Sequence, residues 1–298
     1  MLGIILGMSL WGQKGWGSME IAETMKRISY SPLIGACIRL FGLRKIMQWT
    51  YAKVRRNPGV VKFSLHGVEA IFSARTPVEL RCVEGTWFSE TEMLSGVLSG
   101  LRAGDAFLDV GSNLGVFTVF AAKVVGPGGR VIAFEPETTA HSRLIENIRL
   151  NNLHNVRAPK QALSDTCATR KLILGDAGAV SQSAHLADDI GPSEAVETAD
   201  YDWLVANQSL PVPHLVKMDI EGHEFEALKG MGATLSNPAC AALFCEIHPL
   251  SLPKDVSPEQ VVELIRSFGF ERIETKKRSG QLHTMATRQV ANRSSGGA

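Results

Sequence analysis

The sequence contains no C-x-x-C pair: its five cysteines, Cys37, Cys82, Cys167, Cys240 and Cys245, are scattered and odd in number. That pattern argues against a disulfide framework and against a zinc knuckle, and it fits a reducing, cytoplasmic compartment. Long apolar runs are lacking too. The opening MLGIILGMSLWG has no basic flank ahead of its apolar residues and is broken by Gly3 and Gly7. It falls short of the about 20 apolar residues that cross a bilayer, so it reads as a surface anchor or a mistaken start. Net charge is nearly absent, +1 over 298 residues. A basic surface wide enough for nucleic acid is therefore not expected, and neither is a nucleic-acid partner.

What imbalance of charge there is lies near the N-terminus, where ten basic residues stand against only Glu20 and Glu23 as far as Lys62. Within it, SPLIGACIRLFGLRKIMQWTYAKVRR sets Arg39, Arg44, Lys45, Lys53, Arg55 and Arg56 among apolar residues at helical spacing. Two readings stay open: an interfacial helix giving peripheral contact at the inner membrane face, or a helix packed on its own domain with a basic outer face. After Pro58 the apolar period becomes two, and VVKFSLHGVEAIF reads as a β-hairpin about His66-Gly67. Residues 1–85 are expected to form an N-terminal cap, 86–290 a second domain, and 291–298 a frayed tail.

With 45% hydrophobic residues the chain has enough apolar surface for a sizeable core. From Glu90 the patterns alternate. ETEMLSGVLSGL reads as a helix, DAFLDV as a buried strand, LGVFTVFAAKVV as a helix, RVIAFEP as a strand, and TTAHSRLIENIRLNN as a helix capped by Thr138 or Thr139. NVRAPKQAL, HLVKMDI and AALFCEI continue as strands, with helices at EFEALKGM and SPEQVVELIRSFGF and a closing hairpin about Ser279-Gly280. Such alternation predicts a doubly wound α/β fold, a mostly parallel sheet ending in an antiparallel hairpin. The stretch from about Asp176 to Ala199, rich in Gly, Ser and Asp, reads as an irregular insertion.

The most informative stretch is FLDVGSNLGVF, residues 107–117, where a buried strand ends in Asp109 and runs into Gly111 and Gly115. Glycines there let the backbone approach a ligand at the strand-to-helix turn, where open α/β sheets bind ligands. The spacing is neither G-x-G-x-x-G nor G-x-x-x-x-G-K-[ST], and a carboxylate beside the turn repels phosphate but suits an amino group. The next strand ends in Glu135, placed to accept hydrogen bonds from both hydroxyls of a ribose. A ligand with an ammonium group, a ribose and no phosphate is S-adenosylmethionine.

In order and spacing, GDAFLDVGSNLG, VIAFEP, LIENIRLNN, LVKMDIEGHEFEALKG and FCEIHP resemble the FkbM family of S-adenosylmethionine-dependent methyltransferases over about residues 85–250. The resemblance implies the class I methyltransferase fold, with a seven-stranded Rossmann-like sheet, and an O-methyltransferase acting on sugars, glycans or natural-product hydroxyls. It further implies that Asp109, Gly111, Asn113 and Gly115 line the methionine end of the cofactor and that Glu135 binds its ribose. Gln161 and Ala162 fall where the adenine edge is met, with Ser164-Asp165 as the alternative.

Chemistry is expected where the fourth and fifth strands end. Asp219, Glu221, His223 and Glu224 cluster after the fourth, with Glu221 or Glu224 alternatively capping the next helix. Glu246 and His248 share one face of the fifth by its period of two. Methyl transfer to oxygen needs a group that removes the hydroxyl proton; His248 is the first candidate, His223 the second, with Asp219 orienting the acceptor. No metal is required by the sequence; if one is used, Asp219 and Glu246 would hold Mg²⁺. The expected partner is a small-molecule or glycan acceptor. The competing classes are a non-catalytic, membrane-associated binding module on the same scaffold and, against the glycine spacing, an NAD-binding oxidoreductase.

Overall fold

The computed structural model describes residues 59–174, 184–186, 191–278 and 280–288, with the side chains of 87–89 excepted. The apolar opening, the basic helical segment, the tail and part of the expected insertion lie outside the described residues. A compact unit begins at Gly59, well before the boundary expected at residue 85, and the hairpin explains why. Strands β1 (Gly59–Leu65) and β2 (Val68–Ala74) join through His66 and Gly67, both at positive φ, 51° and 79°, as a two-residue turn of matching twist requires. Val61, Ala70 and Phe72 of this hairpin are buried in one cluster with Phe107 and Phe120, and the Phe72 ring stands 6.1 Å from that of Phe120. The hairpin is part of the main core.

Helix α1 (Pro77–Ser89) starts at Thr76, whose hydroxyl accepts from the Glu79 amide at 3.1 Å, with Pro77 in the first turn. Helix α2 (Thr91–Gly100) follows. Strand β3 (Ala106–Val110), buried at all five positions, opens the main sheet, followed by α3 (Val116–Val125), β4 (Arg130–Phe134) and α4 (Thr138–Leu150). The cap of α4 is Glu137, accepting from the amides of Thr139 and Ala140, not the threonines expected. Asn147 on α4 and Asn151 at its C-cap reach sideways to β2: their side-chain oxygens accept from the Ser73 and Ile71 amides at 2.8 and 3.0 Å. The outer edge of the hairpin is thus satisfied by side chains where no strand pairs with it.

The single strand expected over 155–163 is two. Strand β5 (Val156–Arg157) pairs with β4, while β6 (Ala162–Leu163) leaves the main sheet for a second one with β7 (Thr169–Ile173), β8 (His185–Leu186) and β9 (Ser193–Ala199). The expected insertion therefore contains strand where it is described. Helix α5 (Tyr201–Gln208) leads to β10 (Leu215–Met218), then short α6 (Glu224–Lys229) and α7 (Gly232–Ser236), β11 (Ala242–Ile247), α8 (Pro258–Ser267), and the hairpin β12 (Arg272–Arg278) and β13 (Gln281–Thr287). The main sheet runs β12-β13-β11-β10-β3-β4-β5, with β13 antiparallel to both neighbours and the rest parallel. Strand order reverses at β3, so the ends of β3, β4 and β10 form the crevice in which such sheets bind ligands. Among the described residues no helix is long and apolar enough to cross a membrane.

Candidate active site

The crevice holds a cavity of about 340 Å³, within the size range of small-molecule sites. Its walls come from the strand ends: Gly111, Ser112 and Asn113 after β3, Glu135 after β4, Asp219, Glu221 and His223 after β10, and Glu246 at the end of β11. Gln161 and Ala162 close one side, and Thr86 and Glu90 another.

The turn after β3 is built by packing as much as by ligand access. Gly111 has φ +76°, and a Cβ there would lie 1.9 Å from the Asp219 carbonyl oxygen. Gly115, at φ +85°, would meet Leu144 Cδ1 at 2.6 Å, and it does not line the cavity. Both positions demand glycine for left-handed backbone and for contact with the protein's own elements. Between them Asn113 is also left-handed, φ 49°, and its side-chain Oδ1 is buried without a hydrogen-bond partner among the described residues.

Asp109 differs from its expected place. It is 0% exposed and does not line the cavity. Its Oδ2 accepts from the Thr118 hydroxyl at 2.6 Å, and Oδ1 lies 3.4 Å from Lys217 Nζ, its neighbour across the β3–β10 pairing. Lys217 was not anticipated. Its ammonium donates to the Gly111 carbonyl at 2.7 Å, stands 3.7 Å from Asp219 Oδ2 and lies over the Phe117 ring. Burial would lower its pKa, but the charges of Asp109, Asp219, Glu90 and Glu246 outweigh burial and raise it. A lysine within a strand buried on both faces needs such partners, and that was the signal available in HLVKMDI.

Glu135 is placed as a ribose acceptor must be. Each carboxylate oxygen takes one backbone N–H, Asn113 at 2.7 Å and Glu137 at 2.9 Å, and each keeps a lone pair for a ligand. Burial pushes its pKa up to about 7 against the lowering effect of those two amides.

At the other end of the cavity, Asp219, Glu221 and Glu246 face inward. Burial first, then neighbouring carboxylates, raises Glu221 and Glu246 to about 7 despite His248 beside them, and Glu90 is raised likewise. Glu221 holds a left-handed φ of 55° ahead of Gly222, where a Cβ would strike Ser251. His223 lines the cavity, with Nε2 3.0 Å from the Ser164 hydroxyl; burial, then the charge of Arg170, lowers its pKa to about 4. Neither Ser164 nor Asp165 lines the cavity, and Asp165 accepts from Lys229 at 2.6 Å.

His248 lies behind this wall, 4% exposed and outside the cavity lining. Its Nδ1 is hydrogen-bonded to Glu224 Oε1 at 2.7 Å, and its Nε2 stands 3.6, 3.5 and 4.0 Å from carboxylate oxygens of Asp219, Glu221 and Glu246. Burial would lower its pKa; the Glu224 hydrogen bond and the surrounding charges outweigh that and raise it to about 9. Glu224, fully buried, also accepts from the Gly222 amide at 2.9 Å. It serves that loop and His248, and the residue at the N-cap of α6 is His223.

The sheet order and the acidic residue at the end of β4 define a class I, S-adenosylmethionine-dependent methyltransferase. Residues 109–272 match the model of the methyltransferase FkbM domain, and the chain belongs to that family. Hexuronic acid methyltransferase AglP of Haloferax volcanii is 29% identical over 66% of this chain and 74% of its own length. The 31-O-demethyl-FK506 methyltransferase FkbM of Streptomyces tacrolimicus is 25% identical over 64% of this chain and 83% of its own. Among solved structures, a SAM-dependent methyltransferase from Aquifex aeolicus aligns at 17% identity and a TM-score of 0.38, over 71% of this chain and 93% of that one.

Proposed function

We propose that this methyltransferase acts on oxygen, methylating a hydroxyl of a sugar, a glycan or a natural product. The observation that carries the reading is the pairing, in one cavity, of a ribose-type acceptor at one end, Glu135, with three carboxylates at the other, Asp219, Glu221 and Glu246. Carboxylates of this kind accept hydrogen bonds from the hydroxyls of a polyhydroxylated acceptor. The names of the two relatives, one a hexuronic acid and one a 31-O-demethyl compound, support the same class.

The residues present fit the cofactor. Glu135 has lone pairs for two ribose hydroxyls, the unpartnered Asn113 Oδ1 suits an ammonium group, and Gln161 and Ala162 border the place for the adenine. When bound, S-adenosylmethionine supplies an electrophilic sulfonium methyl group. Asp109 acts from behind the wall, fixing Lys217 and Thr118. Lys217 in turn holds the Gly111 carbonyl and one oxygen of Asp219 in place. The acceptor hydroxyl must be held in line and give up its proton. We assign that proton to Glu246, which faces the cavity, rather than to His248, which does not. His248 positions Asp219 and Glu221.

The test is transfer of label from methyl-labelled cofactor to a panel of hydroxyl acceptors, uronic acids first, with the product read by NMR for a methoxy signal. Tight cofactor binding with no labelled acceptor, or label on nitrogen or carbon, overturns the assignment to oxygen. Glu246→Gln is expected to keep cofactor affinity and lower turnover by roughly 10² to 10⁴.

A further inference from the structure

Four carboxylates, those of Asp219, Glu221, Glu224 and Glu246, surround one buried imidazole, that of His248. Lys217 approaches the group at Asp219 but is shared with Asp109, and His283 approaches Glu246 at 3.4 Å. The cluster therefore concentrates more negative charge than the cations beside it balance. We infer that Asp219, Glu221 and His248 form a binding site for a divalent cation of mixed oxygen and nitrogen preference, such as Mn²⁺, with Glu224 orienting the histidine.

Geometry supports the assignment at each ligand. One donor atom from each of the three residues lies within 4.8 Å of the others. His248 Nε2 is 3.6 Å from Asp219 Oδ1 and 3.5 Å from Glu221 Oε2. Ligands about 2.2 Å from a common ion stand about 3.1 Å apart at the right angles of an octahedral site, so the observed spacings close onto an ion with shifts of about 0.5 Å. Among the described residues, this imidazole is hydrogen-bonded at the other nitrogen, to Glu224. A histidine that gives its Nδ1–H to a buried carboxylate and turns Nε2 toward two more has the arrangement of a metal ligand with its orienting partner. A cation on Nε2 stands where a second ring proton would otherwise sit. Glu224 is 0% exposed and, among the described residues, its Oε2 has no hydrogen-bond partner, a buried acceptor whose desolvation a nearby cation offsets.

This set differs from the pair suggested by sequence. Glu246 is the farthest of the carboxylates from Nε2, at 4.0 Å, and leans to His283. Glu221 takes its place, its side chain brought in by the left-handed turn before Gly222. One imidazole with two carboxylates favours Mn²⁺ over the all-oxygen preference of Mg²⁺. Because Asp219 and Glu221 also line the cavity, open coordination positions face the acceptor, and the cation anchors its hydroxyl or neighbouring oxygens. That last role rests on the oxygen-methylating reading; the site itself does not.

The test is titration of the full chain with Mn²⁺ alone, followed by electron paramagnetic resonance of the free ion, with no methyl transfer required. One saturable equivalent is expected for the wild type. Glu221→Gln, close in shape, and His248→Asn should each weaken it at least 10-fold, and Glu224→Gln by about 10- to 100-fold. Their affinity for S-adenosylmethionine should stay within about two-fold, which shows that they are folded. Absence of saturable binding by the wild type, or an unchanged affinity in folded Glu221→Gln, overturns the site. If Mn²⁺ binds as expected while no hydroxyl acceptor is methylated, the site stands and the reading of function falls.

Discussion

Glu135 carries two opposite dependences on pH. Its folded pKa, about 7, is raised above the ordinary value of 4.5, chiefly by burial. The neutral carboxyl therefore contributes stability to the ligand-free protein that is fully present below about pH 4.5 and lost as pH rises through 7. Ribose hydroxyls bind the ionised carboxylate better, so cofactor affinity is expected to rise across the same interval. Calorimetric titration at pH 6 and pH 8 should show the increase in the wild type and none in Glu135→Gln. Glu135→Ala should weaken cofactor binding by about 2 to 3 kcal/mol, the worth of two hydrogen bonds to a charged group; an unchanged Kd would remove this residue from the site. Gly111→Ala is expected to destabilise by more than about 2 kcal/mol, since a Cβ would stand 1.9 Å from a backbone oxygen at positive φ. A denaturation midpoint matching the wild type would refute that. Residues such as Glu135 and Asp219 were legible because a charge at the end of an apolar run is conspicuous. The partners of Asp109 were not legible, because strand register, which sets Lys217 beside it, is a tertiary property.

Among elements, the hairpin shows how a local pattern can be right while its membership is misjudged. Its turn at His66-Gly67 was readable from two residues, but the burial of Phe72 against Phe120 depends on helices far along the chain. Phe72→Ala is expected to cost about 3 to 5 kcal/mol and to shift the whole unfolding transition, as seen by both far-ultraviolet and aromatic circular dichroism. A separate early transition for the hairpin would show it to be an independent cap. Helix α1 was missed although Thr76, Pro77 and Glu79 form a start signal; the boundary at residue 85 follows the start of the strand-helix alternation, which lies beyond it. The division of the third strand into β5 and β6 escaped notice because both pieces are two residues long, below the length at which periodicity can be counted. By contrast, Ser257 and Gln260 close a capping box on α8, and Ser257→Ala should lower stability by about 1 kcal/mol, measurable as a small fall in Tm.

At the scale of the whole molecule, the mostly parallel sheet closed by an antiparallel hairpin was the feature most legible, since alternating strands and helices wind into a parallel sheet; the strand order itself comes from the structure. The second sheet was not read: β7 and β9 pair across a segment whose composition resembles a loop. One consequence concerns the making of the protein. Strand β13 is an interior strand, inserted between β11 and β12, yet it is the last strand described along the chain. Gln281 at its start borders the cavity, and His283 stands opposite Glu246. While the chain is being synthesised, a parallel half-sheet ending in β11 emerges first, with an unpaired apolar edge and an incomplete pocket. A chain cut before Gln281 lacks that edge partner and one wall of the pocket, and it is expected to self-associate, as sedimentation of the truncated protein would show.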